Sequence, residues 1–119
     1  MLNKSISAMT VATALIVMMV FSVASAAETS RIDEGKQIAF DRTLGNCLAC
    51  HAIEDGELPG NMAPPLLVMK ARFPEFDRLV AQISNPLEAN PNSIMPPFGL
   101  HNILTEDEIK KVAEYLYTL

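Results

Sequence analysis

The chain has 119 residues, with 9 Lys and Arg against 14 Asp and Glu, for a net charge of −5 at neutral pH. That acidic balance argues against nucleic acid as a partner; it serves solubility and leaves open docking on a basic protein surface. Half of the residues are hydrophobic, yet there is no Trp and only 6% are aromatic, a poor endowment for a small core.

Residues Met1 to Ala26 read as a secretory signal. Lys4 supplies the positive start, Val11 to Val23 the apolar centre, and Ala24-Ser25-Ala26 the small-residue cleavage site. The apolar centre is short for a membrane span, which needs about 20 residues; an uncleaved anchor is the alternative. There is no twin-arginine pair, so the expectation is export of an unfolded chain to the periplasm, with any cofactor attached there. Cleavage after Ala26 or Ala27 leaves one domain, 27–119. That part keeps every acidic residue and loses the cation Lys4.

The first helix is expected from Ser30, a good N-cap with Asp33 three residues on, through Ile38, Ala39 and Phe40 to Thr43, with Gly45 ending it. Gly35 inside it costs about 1 kcal/mol relative to Ala, a cost that a close helix crossing would offset. A second helix is expected to begin at Pro74. Its apolar positions Phe76, Leu79, Val80 and Ile83 keep a helical period, and Asn85-Pro86 stops it. The last helix has the clearest start, with Thr105 and Glu108 forming a capping box and Glu106 and Asp107 complementing the dipole. Ile109, Val112, Ala113 and Leu116 make its apolar stripe, with Tyr115 at the edge. All eight prolines fall between Pro59 and Pro97. The domain is therefore expected to be all-α, three main helices plus proline-rich loops wrapped around a large ligand.

Cys47-Leu48-Ala49-Cys50-His51 names that ligand. One helical turn brings both sulfurs to one side and the imidazole beneath them, as covalent attachment of one haem c requires. A half zinc site would need further Cys or His ligands, and only His101 is left. A thioredoxin-like site would need βαβ surroundings, and no strand pattern is evident. With His51 on the iron, the sixth ligand is sought among Met62, Met69, Met95 and His101. Met62 follows His51 closely, and Met69 lies in an apolar run suited to packing. Met95 comes late enough for the chain to pass around the haem edge, and Met95-Pro96-Pro97 is a rigid, non-helical stretch. Met95 is the preferred ligand and His101 the competitor. A thioether opposite an imidazole raises the potential and leaves no position for substrate, so such a haem passes electrons. Pro64, in Ala63-Pro64-Pro65-Leu66, is the candidate carbonyl for the second ring nitrogen of His51.

These motifs resemble a class I cytochrome c. Gly45 to His51, the Pro64-Pro65-Leu66 turn, and Met95-Pro96-Pro97-Phe98-Gly99 with Ile103-Leu104-Thr105 are further similar to the SoxX family. Its members are the small monohaem subunits of the SoxAX cytochromes of sulfur oxidation, and the similarity covers about Arg31 to Leu119. The resemblance implies haem attachment at Cys47 and Cys50 and axial ligation by His51 and Met95. It also implies a heterodimer with SoxA, acting as an L-cysteine S-thiosulfotransferase. In that reaction thiosulfate is coupled oxidatively to a cysteine of the carrier SoxY. The catalytic haem lies in SoxA, so no catalytic residue is expected in this chain, which takes the electrons and passes them to a soluble cytochrome c. Ala63 departs from the family pattern, where Gly is expected. Two other functions are carried: a free-standing periplasmic electron shuttle, and a gas sensor whose sixth position is open. A SoxA-bound subunit is expected to present an apolar patch near Met95 to Phe98.

Overall fold

The computed structural model describes residues 26–119, so the signal segment, apart from Ala26, lies outside the described residues. Arg31–Leu119 forms a compact unit. Residues 26–40 are helical, and the part from 31 to 40 is α1. A 3-10 turn at Cys47–Ala49 follows, then α2 (Met69–Arg72), α3 (Phe76–Ser84) and α4 (Glu106–Leu116). Among the described residues there is no strand, only a single parallel bridge between Ile53 and Leu66. No described helix is long and apolar enough to cross a membrane. The fold is all-α and agrees with a class I cytochrome c.

The α1–α4 crossing organises this unit. A Cβ on Gly35 would run into the Lys111 carbonyl, so the backbones meet where only glycine fits. Ile38 and Ala39 of α1 and Ile109, Val112, Ala113 and Leu116 of α4 are all buried. Tyr115 is buried as well, edge-on to Phe40 with ring centroids 6.1 Å apart. Around the crossing, Arg31 pairs with Asp107 at 3.1 Å and Glu114 at 3.0 Å, and Lys111 pairs with Glu34 at 2.8 Å and Asp107 at 2.9 Å. Pairs this exposed contribute roughly 0–1 kcal/mol each; burial of the apolar stripe carries the contact.

Helix boundaries differ from expectation at three places. Residues 26–29 are already helical, so Ser30 is not an N-cap, and the helix ends at Phe40 instead of Thr43. Asp41 explains the early stop. Its carboxylate accepts from the Thr43 amide at 2.7 Å and hydroxyl at 2.6 Å, a local turn that competes with the helix. Those bonds, the hydroxyl first, hold the Asp41 carboxyl below its ordinary range. The Gly45 amide then reaches back to the Ile38 carbonyl at 3.0 Å and closes the end.

The second expected helix starts at Phe76, with Glu75 extended before it (φ −91°, ψ 117°), leaving Pro74 outside. The four-residue α2 was not foreseen; Val68 enters it in the left-handed region at φ 47°, an uncommon conformation for a β-branched residue. The Thr105–Glu108 capping box is present in both directions. Its hydrogen bonds, led by that from the Thr105 amide, lower the Glu108 pKa. Tyr117 ties the carboxyl-terminal turn down, its hydroxyl donating to the Phe73 carbonyl at 2.5 Å and its ring standing edge-on to Phe76.

Helix propensity alone would make Gly35→Ala stabilising by about 1 kcal/mol. The clash at Lys111 reverses the sign, and a loss of about 1–3 kcal/mol is expected in urea unfolding of the haem-bearing protein. A stability gain would show that the two helices are not in contact there.

Candidate haem centre

The attachment turn starts from Asn46, which adopts the left-handed conformation at φ 48°. It lets the chain reverse out of the Asp41 turn into a 3-10 turn, where side chains three apart eclipse. The Cys50 and His51 amides both return to the Cys47 carbonyl, at 3.2 and 2.9 Å. Cys47 and Cys50 thus share one side through a 3-10 turn, where an α-helical turn was expected. Burial pushes the Cys47 thiol up to about 11. It is therefore a protonated, apolar-sided sulfur in the bare chain, poorly suited to thiolate chemistry of the thioredoxin kind.

His51 is held through its Nδ1, which donates to the Pro64 carbonyl at 2.6 Å. That commitment leaves Nε2 as the ring nitrogen free to bind a metal. The acceptor is itself fixed. The Ala63 amide donates to Cys50 at 3.0 Å, the Leu66 amide to Ala52 at 2.8 Å, and the Gly60 amide to Leu48 at 2.7 Å. Ala63 is not among the residues with positive φ, so the turn makes no demand for glycine at that position.

Met95 reaches the same cavity from the other end of the sequence. Its amide donates to the Ser93 hydroxyl at 3.2 Å, and the residues after it are pinned to the end of α3. Phe98 donates to the Ile83 carbonyl at 3.3 Å, and Gly99 and Leu100 to Ser84 at 3.0 and 3.2 Å. The Phe98 carbonyl in turn accepts from Ile103 and Leu104. Helix α3, held by buried Leu79 and Ile83, is the platform from which the Met95 loop hangs.

One cavity of about 630 Å³ collects these residues: Cys47, Cys50, His51, Pro64 and Met95 all line it. The volume falls in the roughly 300–1,000 Å³ range of pockets that enclose organic ligands. Of the competing ligands, His101 is exposed and does not line the cavity. Met62 lines it but is 68% exposed, and Met69 is core-packed with its sulfur engaged by Arg72 at 3.4 Å. Half-buried Met95, on an anchored loop, is the thioether best placed to serve. Of the stretch Met95 to Phe98, where an apolar patch was expected, Pro97 and Phe98 are buried, and the neighbouring Ile94 and Ile103 line the cavity. Arg42, Arg72, Gln82, Asn90 and Asn92 also line the cavity and were missed. No motif marks them; chain reversals bring them there.

The donor set fits a haem c: two thiols on one tight turn, an imidazole with one nitrogen already committed, and a thioether, around a cavity of suitable size. Comparison with known proteins agrees. The family model described as cytochrome c oxidase, cbb3-type, subunit III matches residues 30–116. The chain belongs to that family. It is one of class I cytochrome c domains, and membership implies a covalently bound haem c and haem-based electron transfer. Such domains are typically extracytoplasmic. The match identifies the domain and does not single out the SoxX branch. A protein of Aquifex aeolicus (strain VF5), named as an uncharacterized lipoprotein, is 34% identical over 74 residues, which is 61% of this chain. The chain spans 36% of that relative's length.

Cys47→Ala and Cys50→Ala are each expected to lower covalent haem content, read as intact mass and haem stain of the exported protein. Folding should fail with it, because a metal or cofactor that completes the core contributes its binding energy to folding. Wild-type haem content in either variant would place attachment elsewhere.

Proposed function

We propose that this chain is a periplasmic electron-transfer cytochrome whose haem is attached at Cys47 and Cys50 and ligated by His51 and Met95. The observation that carries the reading is the shared cavity: His51, its Nδ1 committed to Pro64, faces the same space as Met95 and both cysteines. A haem c bound there supplies a one-electron couple. The residues do the rest. Cys47 and Cys50 hold the cofactor irreversibly, and the Pro64 carbonyl strengthens His51 as a donor. Met95, a soft thioether, would favour the reduced state of a bound haem and raise its potential. With His51 and Met95 both holding the group, no place for substrate would remain, and outer-sphere electron transfer would be the chemistry left to the site.

At a finer level we propose that it acts as the SoxX subunit of a SoxAX complex. The support is the wording around the ligands: Gly45 to His51, Pro64-Pro65-Leu66, and Met95-Pro96-Pro97-Phe98-Gly99. In that role the partner SoxA hosts the reaction. A sulfur–sulfur bond forms between thiosulfate and the SoxY cysteine thiol, the thiol proton leaves, and two electrons are released. This chain takes the electrons one at a time and hands them to a soluble cytochrome c.

Two measurements test the two levels. Met95→Ala should abolish the weak red absorption of sulfur-ligated ferric haem, open the iron to carbon monoxide and lower the potential. Retention of that absorption would show that another residue is the ligand. Affinity capture of the tagged protein from periplasm of thiosulfate-grown cells should bring down a second haem protein. Recovery of the monomer alone would defeat the SoxAX reading and leave a free-standing shuttle.

A further inference from the structure

Arg72, the last residue of α2, lines the cavity and is tied to the Pro64-Pro65 turn. Its Nη1 donates to the Pro65 carbonyl at 2.9 Å and also lies 3.4 Å from the Met69 sulfur. We propose that Arg72 is a positioning residue for His51, an inference that rests on the haem-ligand reading above.

The path is short. Pro65 directly follows Pro64, whose carbonyl accepts from His51 Nδ1. Both pyrrolidine rings lock φ, so the orientation of the Pro64 carbonyl depends on the few torsions left between it and Pro65. A donor on the Pro65 carbonyl restrains those torsions. The other end of the tether is stiff. Met69 is 2% exposed, its amide donates to the Leu119 carbonyl at 3.2 Å, and the Phe73 carbonyl accepts from Tyr117. Arg72 therefore adds a tie from the 64–65 turn, whose flanking amides are already held, to a buried base. The Met69 sulfur orients the planar guanidinium, which presents its donors in a fixed fork. Arg42 lines the same cavity and carries the same charge, but makes no bond to the turn. The two arginines thus separate a tether from a mere nearby charge.

What Arg72 controls is the alignment of the His51 ring. A tightly held Nδ1–H···O=C bond keeps the imidazole in one tautomer and one orientation, and makes it a stronger ligand. When the Pro65 tie is cut, the carbonyl at Pro64 samples more orientations and the ring proton is released more often to solvent.

The test is nitrogen-15 NMR of the reduced, haem-bearing protein, following solvent exchange of the His51 Nδ1 proton. Arg72→Gln is expected to speed exchange by about tenfold, the equivalent of one weakened hydrogen bond. Arg42→Gln, which removes the same charge, should leave the rate within about twofold of wild type, since no bond is lost. Should Arg72→Gln not accumulate with haem, Arg72→Met keeps the unbranched stem over Met69 and carries the same expectation. An unchanged rate in the Arg72 variant, or an equal acceleration in Arg42→Gln, overturns the inference. The wild-type spectrum is read first. If it lacks a ring proton belonging to a haem-ligated His51, the haem-ligand reading fails and takes this one with it. If the proton is present and the Arg72 variant exchanges normally, only the positioning role fails.

Discussion

The hydrogen bond from His51 Nδ1 to the Pro64 carbonyl, 2.6 Å long, is the constraint around which the loop-rich half of this domain is arranged. An imidazole directly after Cys50 can swing about its own χ angles. Fixing one ring nitrogen removes that freedom and aims the other. The loop from 52 to 66 exists in its present form to bring a carbonyl to that position. It is secured by amides donating to Leu48, Cys50 and Ala52, the residues around the attachment turn itself. On the proposed reading, attachment, ligation and orientation are parts of one backbone circuit.

The rest of the molecule frames this circuit. The α1–α4 crossing at Gly35 and Lys111 is a platform that takes no direct part in ligation. Its apolar faces continue into the cavity through Val112 and Leu116, which belong both to the core and to the cavity lining. A cofactor seated there would complete the same apolar interior that the helices begin. This accounts for a chain short of aromatic residues that nevertheless forms a core, since the missing bulk is supplied by the group it binds.

Much of this was legible in the residues. The Thr105–Glu108 box, the stripe Ile109, Val112, Ala113 and Leu116, the need for a close crossing at Gly35 and the bond to Pro64 were all read from local chemistry. Each depends on contacts between near neighbours, or on a residue type with few other uses. The boundaries that slipped did so where a side chain outcompetes the helix, as at Asp41, or where an extended residue follows Pro74 and delays the next one. Helix α2 and the tie from Arg72 to Pro65 were not legible. Four residues carry no usable periodicity, and a bond across the Pro65-to-Arg72 reversal depends on Val68 taking a left-handed conformation that its side chain disfavours. The proposed SoxX role rests on short words at 45–51, 64–66 and 95–99, which the family match spans without singling out that branch.

The anchoring of the Met95 loop has a consequence for how the protein responds to heat. The carbonyls of Ile83 and Ser84, which hold Phe98, Gly99 and Leu100, belong to the final turn of α3, and helix ends fray before helix centres. Warming that unravels this turn slackens the thioether's support while α1 and α4 remain docked. If Met95 is the iron ligand, as proposed, the sulfur's grip would be the first thing to go, ahead of the melting of the chain, and the colour of the oxidised protein would report on a single helix end.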